Sequence, residues 1–128
     1  MSPRQKLFIW LPVILWATMI FCLSSLSFET SPEMPGFLER YRLDKPVHLV
    51  LFGTLSWLLL QATRRGGTLR LPAAAVLAIF VTSAYGASDE WHQTFVPGRY
   101  ASVADWAADT AGAVIAAIIY RRYESRPS

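Results

Sequence analysis

Residues Leu7–Leu26 read LFIWLPVILWATMIFCLSSL, twenty consecutive residues without a charged side chain. A helix of this length rises by about 30 Å, which matches the hydrocarbon core of a bilayer. A cleaved signal peptide is the competing interpretation, but its apolar core is typically about 7 to 15 residues long and precedes a small-x-small site. No such site follows here. We therefore predict a retained membrane-spanning helix, loosened at Pro12.

Three further apolar runs follow in a chain of 128 residues that is 53% hydrophobic and 16% charged. Runs of this length and composition are typical of membrane-spanning helices. A polar segment, Ser27–Lys45, separates the first run from the second, and the single cysteine excludes a disulfide within the chain. The sequence predicts an all-α fold, an integral membrane four-helix bundle formed by residues 1–128 as one domain, with the remaining helices at Pro46–Thr63, Leu71–Trp91 and Val103–Tyr120.

The basic residues predict how this bundle is oriented, because cytoplasmic loops carry an excess of Lys and Arg. With four spans and a cytoplasmic N-terminus, eight of the 12 Lys and Arg residues fall on the inner side. Both termini are therefore predicted to be cytoplasmic. Because these residues act as topological flanks, the bilayer is the expected partner and nucleic acid is not. The eight residues are Arg4, Lys6, Arg64, Arg65, Arg70, Arg121, Arg122 and Arg126.

One polar stretch, YGASDEWHQTFVPGRYASVADWAADTAG at Tyr85–Gly112, lies between two apolar runs and predicts a functional site. In the predicted topology it meets the start of the second helix at the outer surface. We take as candidate acid/base catalysts Asp89, Glu90, His92 and Asp105. The candidate ligand-binding residues are Asp44, His48, Tyr85, Gln93, Arg99 and Asp109.

Helical spacing groups these candidates further. Tyr85, Asp89, His92 and Gln93 fall within about one 100° sector of the third helix, with Glu90 at its edge. On the fourth helix a single stripe carries Asp105, Asp109, Gly112 and Ala116. Small residues allow close approach between membrane helices, so this stripe is expected to face the bundle interior.

Asp109 lies deep enough in the fourth helix to need a partner. An unpaired carboxylate at the centre of a membrane helix costs roughly 2.5 to 3.5 kcal/mol on insertion scales. The candidate partners are Arg99, His48 and His92. A function for Asp109 is therefore favoured over a purely structural role.

Other candidates have structural explanations that stay open. Asp105 could complete a capping box with Ser102. Asp44 could cap the second helix, with Pro46 in its first turn. His48, four residues after Asp44, would then be an interfacial histidine rather than part of a functional pair.

Arg99 ends the sequence Val-Pro-Gly-Arg, which predicts a type II turn. The guanidinium at this position could bind a phosphate or carboxylate of a ligand, or neutralise the neighbouring acids. The sequence leaves both roles open.

Three ordered motifs carry a resemblance to a known family. They are D-K-x-x-H from Asp44, Y-G-x-S-D-E-x-H-Q from Tyr85 and P-G-R-x-x-S-x-x-D-x-x-x-D-x-x-G from Pro97. Together, over roughly Asp44–Ala117, the chain resembles the VanZ-like family of small bacterial membrane proteins. The resemblance implies a multi-pass protein of the bacterial cytoplasmic (inner) membrane, related to one that confers resistance to teicoplanin, a glycopeptide that acts on cell-wall precursors.

Two classes of function remain. In the first, the polar cluster binds or modulates a cell-envelope component, such as a lipid-linked precursor or a partner protein, or orders the four helices. In the alternative, the protein is a membrane-embedded hydrolase or transferase that acts on a lipid-linked envelope substrate. Neither HExxH nor CxxC spacing occurs, nor a G-x-S-x-G nucleophile motif, so we predict no metal and no cofactor.

Overall fold

The computed structural model describes residues 1–26, 44–67 and 69–125, and in this part of the chain the regular structure is entirely helical. Most of the polar segment predicted after the first helix, residues 27–43, lies outside the described residues. All four helices are long and apolar enough to cross a membrane, which confirms the predicted all-α membrane fold. They are α1 (Pro3–Ser25), α2 (Asp44–Arg65), α3 (Leu71–Gln93) and α4 (Val103–Glu124).

The helices run alternately up and down, and the charged side chains at the two ends of the bundle differ. At the acid end, where α2 and α4 begin and α1 and α3 finish, Lys45 Nζ lies 2.7 Å from Asp105 Oδ1. At the basic end, where α2 and α4 finish, Arg64 pairs with Glu124. Which end faces the cytoplasm remains a prediction.

α2 and α4 approach each other most closely at Gly112. A Cβ atom added to Gly112 would lie 2.2 Å from the carbonyl oxygen of Leu49 and 3.1 Å from the backbone nitrogen of Gly53. Neither backbone atom can move without shifting a helix. The stripe of small residues on α4 therefore sets the distance between these two helices, as small residues do in membranes.

α1 starts earlier than predicted because Ser2 and Gln5 form a capping box, and it continues through Pro12. Only Val13, Ile20 and Ser24 are buried in α1. Two hydrogen bonds between helices hold its middle: Trp16 Nε1 donates to the carbonyl oxygen of Leu51 at 2.9 Å, and the Tyr85 hydroxyl donates to that of Ala17 at 2.6 Å. α1 is thus a peripheral helix docked partly by polar contacts.

Apolar side chains cover the outside of the bundle, as a lipid environment requires. Phe8, Val76, Phe80 and Ile119 are all more than half exposed. The interior is filled by small and medium side chains, including Phe52, Leu60, Ala74, Ala78 and Ala113. This arrangement leaves polar side chains in the interior mainly at the acid end.

Candidate functional site

Asp109 is fully buried and is paired with His48. Its Oδ1 lies 2.8 Å from His48 Nδ1, which joins α4 to α2 within the bundle. His48 was one of three partners that the sequence suggested. Its other ring nitrogen, Nε2, lies 3.9 Å from Asp105 Oδ2.

Gly86 on α3 provides the space for Asp109. A Cβ atom at Gly86 would lie only 2.8 Å from Asp109 Oδ2 and 3.1 Å from Asp109 Cβ. Sequence reasoning did not assign this glycine a role. The sequence did contain a hint of this role, because Gly86 lies one turn before Glu90 on the polar face of a membrane helix. A glycine at such a position leaves space for a side chain of a neighbouring helix.

Glu90 takes over part of a role predicted for Asp105. Ser102 Oγ caps α4 by accepting a hydrogen bond from the backbone N–H of Asp105 at 3.2 Å. In a capping box the Asp105 carboxylate would in turn accept from the Ser102 N–H. Instead Glu90 Oε2 accepts from Ser102 N at 2.7 Å. The capping-box prediction was therefore half right, and α3 supplies the missing acceptor.

The Asp105 carboxylate is consequently available to Lys45. Lys45 Nζ lies 2.7 Å from both Asp105 Oδ1 and Asp44 Oδ2, so one ammonium bridges two helices. The described helix α2 already includes Asp44, which lies in its first turn rather than before it. The prediction that Asp44 precedes the helix as its cap was therefore wrong, and its carboxylate lies in the first turn instead.

Two carboxylate oxygens in this region are buried and unpaired. Glu90 Oε1 and Asp109 Oδ2 have no hydrogen-bond partner among the described residues. Glu90 is 6% exposed and Asp109 is 0% exposed, so bulk water has little access to either carboxylate. His48, Glu90 and Asp109 can each offer one ligand atom such that all three atoms lie within 4.8 Å of one another.

Asp89 and Gln93 form a second polar pair on α3. Gln93 Nε2 donates to Asp89 Oδ2 at 3.2 Å, and both residues are buried. Spacing of four residues on one helix face accounts for the contact.

The remaining three candidates are directed toward α1. The His92 ring stacks on Phe21 at 4.7 Å between centroids, and its Nε2 lies 3.0 Å from Ser25 Oγ. Tyr85 reaches the middle of α1, as described above. His92 therefore contacts a different helix from the group around Asp109, although it shares a helix with Glu90.

Arg99 lies beside the C-terminus of α1. Its guanidinium donates to the carbonyl oxygens of Leu26 at 3.1 Å and Leu23 at 3.0 Å. The preceding turn has the predicted type II features: Gly98 has a φ of 77°, and Arg99 N donates to Val96 O at 3.1 Å. Arg99 thus links the α3–α4 connection to the first helix.

Six of the ten candidates, Asp44, His48, Asp89, Gln93, Arg99 and Asp105, line a cavity of about 460 Å³ at the acid end, whereas Tyr85, Glu90, His92 and Asp109 are not part of its lining. Its apolar wall comes from α1 and α2 and consists of Ile20, Leu23, Val47, Leu51 and Phe52. Its polar lining comes from α2, α3, α4 and the connection between α3 and α4, and includes Asp44, Lys45, His48, Asp89, Gln93, Arg99, Ser102 and Asp105. The volume falls in the range typical of small-molecule sites, about 300 to 1,000 Å³.

Comparison with known proteins adds one finding. A family model described as VanZ/LLP1 matches residues 8–124, which is nearly the whole chain. The chain matches no curated protein and no solved structure. With four membrane-length helices and this match, the chain is a multi-pass membrane protein that belongs to the VanZ/LLP1 family.

Proposed function

We propose that the protein binds an amphiphilic cell-envelope molecule, such as a lipid-linked wall precursor, in the cavity at the acid end. One observation carries the proposal: a single cavity combines an apolar wall from α1 and α2 with charged and amide side chains from α2, α3 and α4. Acyl chains fit the first surface, and a polar headgroup fits the second. Ligand sites commonly combine apolar linings with a few polar groups in this way.

The cavity lining carries three carboxylates and two cationic side chains, so it can offer both acceptors and donors to a polar headgroup. Lys45 and Arg99 supply cationic donors. Asp89 and Gln93 supply acceptors suited to hydroxyl or amide groups, and they lie beside those cations in the same lining. A phosphate-bearing, hydroxylated headgroup would satisfy both sets.

Binding is tested with the full-length protein in lipid nanodiscs and a fluorescent lipid-linked wall precursor, with phosphatidylglycerol as a competitor. We expect saturable binding that weakens about tenfold, or roughly 1.4 kcal/mol, in Leu51→Trp, which fills the cavity wall, and in Lys45→Gln. Arg121→Gln, an exposed cation at the other end of the bundle, is the matched control and should bind as wild type. Equal affinity in all three variants contradicts the proposal. Full displacement by phosphatidylglycerol would narrow the ligand to a simple anionic lipid.

A second candidate function is supported by the His48–Asp109 pair. His48 lines the cavity, and Asp109 holds its Nδ1 at 2.8 Å, which leaves Nε2 for a substrate. An imidazole oriented by a carboxylate is a common general base in hydrolases and transferases. This choice differs from the acid/base candidates of the sequence, Asp89, Glu90, His92 and Asp105, which remain untested predictions.

Turnover separates the two functions. Incubation of the wall precursor with the protein, followed by mass spectrometry, gives new products if the protein is an enzyme. His48→Gln should then abolish product formation while retaining binding. Unchanged precursor in the presence of saturable binding supports the non-catalytic function.

We also propose a link to glycopeptide susceptibility, because the family resemblance includes teicoplanin resistance. Expression in a susceptible host is expected to raise the inhibitory concentration of teicoplanin, and Leu51→Trp is expected to abolish that increase. An unchanged inhibitory concentration with the protein expressed and inserted would contradict the link.

We further propose that residues 1–128 form one domain in the cytoplasmic membrane, with both termini in the cytoplasm. The cavity would then open to the outer surface. In a Cys22→Ser background, an impermeant maleimide added to spheroplasts should label Tyr100→Cys and spare Arg65→Cys. The reverse labelling pattern contradicts this orientation.

A further inference from the structure

We propose that His48, Glu90 and Asp109 form a binding site for one divalent transition-metal cation, Mn²⁺ or Zn²⁺. The three residues come from α2, α3 and α4, and of the three His48 lines the cavity. The site goes beyond the proposed lipid binding and does not depend on it.

The geometry is close to that of a three-residue metal site. One ligand atom from each residue lies within 4.8 Å of the other two. Ligands of Zn²⁺ lie about 2.0 to 2.2 Å from the ion, so two of them are at most about 4.4 Å apart. Because ligands in a tetrahedral site lie about 3.3 to 3.6 Å from one another, separations of up to 4.8 Å would have to shorten by up to about 1.5 Å. Side-chain rotation alone can provide a movement of this size.

The two unpaired oxygens are the independent observation that points to a ligand. Glu90 Oε1 and Asp109 Oδ2 are buried and lack a hydrogen-bond partner among the described residues. An unsatisfied buried charged acceptor is costly, and the cost is larger in a bilayer than at a wet surface. A cation bound by the two carboxylates would supply a partner for both groups.

The donor types select the class of cation. One imidazole nitrogen with two carboxylates suits Mn²⁺ or Zn²⁺ better than Mg²⁺ or Ca²⁺, which prefer oxygen ligands throughout. Three protein ligands leave at least one coordination position open. Because His48 also lines the cavity, a cation held by it would lie next to the cavity and could hold a water or a phosphate oxygen there.

The test uses full-length protein carrying a tag without histidine, stripped with EDTA and titrated with MnCl₂, while free Mn²⁺ is followed by electron paramagnetic resonance. We expect one Mn²⁺ per chain, displaced by Zn²⁺. His48→Gln, Glu90→Gln and Asp109→Asn should each weaken binding at least tenfold, because even residues that only support a metal ligand cost 10- to 100-fold when they are replaced.

His92→Gln is the matched histidine control, because His92 contacts α1 instead of this group, and Glu124→Gln is the matched acid control. Both should bind Mn²⁺ within about twofold of wild type, well below the 10- to 100-fold loss that follows when a metal site is disturbed. Binding of neither Mn²⁺ nor Zn²⁺ by the wild type overturns the proposal. So does equal loss in His92→Gln, or wild-type affinity in the three ligand variants.

A measurement that needs none of the three ligand variants covers the case in which those variants fail to fold. Pulsed electron paramagnetic resonance of bound Mn²⁺ should show one ¹⁴N coupling, from the imidazole of His48. This coupling should persist in His92→Gln. Bound Mn²⁺ without nitrogen coupling overturns the proposed ligand set.

Discussion

The two ends of the bundle handle charge in opposite ways. At the basic end, Arg64 pairs with Glu124 while both side chains remain about one-third exposed, and Arg64 also donates to the Leu69 carbonyl oxygen at 3.0 Å. At the acid end, Asp109 is fully buried, and one of its oxygens is unpaired within the described residues. The first arrangement costs little, because exposed charges stay hydrated. The second is a liability for folding, so its presence argues for a function.

The largest effect is expected from breaking the buried pair at the acid end. His48→Ala removes the partner of Asp109 and leaves a carboxylate uncompensated, which costs about 3 kcal/mol in free energy of unfolding. Unfolding in mixed detergent micelles, followed by circular dichroism, measures the change.

Arg64→Ala is the matched control, because it breaks the exposed pair at the other end. Its unfolding should match that of wild type within error, since exposed pairs contribute little. An equal loss of unfolding free energy in His48→Ala and Arg64→Ala would contradict the difference proposed between the two ends.

The next effect concerns the α2–α4 contact. Gly112→Ala places a methyl group 2.2 Å from the Leu49 carbonyl oxygen, so the helices must separate. Overpacking of this kind costs about 2 kcal/mol. The cavity lies between the same helices, so thermal unfolding and ligand binding should both change.

Ala111→Val is the control for this substitution. Ala111 is the exposed neighbour of Gly112, so a larger side chain there points outward. It should unfold at the wild-type temperature. A wild-type melting temperature for Gly112→Ala would show that the helices are less tightly apposed than described.

The smallest effect compares the helix caps at the two ends. Ser102→Ala removes the Oγ acceptor for the Asp105 N–H, at a cost of about 1 kcal/mol. Ser2→Ala removes the equivalent cap of α1 at the other end, where Ser2 is exposed and terminal. We expect the second loss to be smaller, about 0.5 kcal/mol. Chemical unfolding of the two variants side by side checks the order.

Within the described residues, the four membrane-length helices and their charged side chains at the acid end were predictable, because apolar runs and charge spacing are properties of local sequence. Four helices were expected, and His48 was among the partners proposed for Asp109. Helical spacing also placed Asp109 and Gly112 on one stripe, and Gly112 does lie against α2. These features need only the pitch of a helix and the polarity of the bilayer.

The assignment of partners across helices was not predictable. Spacing places His92 and Asp89 in one sector of α3, but it does not say that α1 lies against His92. The same limit applies to Glu90, which accepts from Ser102 although Asp105 has the right local spacing for that role. Gly86 was overlooked for a related reason. Its missing side chain leaves space for Asp109, which lies on another helix.

The weak docking of α1 has a mechanical consequence. Its middle is tied by single hydrogen bonds from Trp16 and Tyr85, and its end by the guanidinium of Arg99. Its side chains Ile20 and Leu23 form part of the cavity wall. Tilting α1 away would break these hydrogen bonds yet leave the Gly112 contact intact, so the cavity would open laterally toward the surrounding lipid.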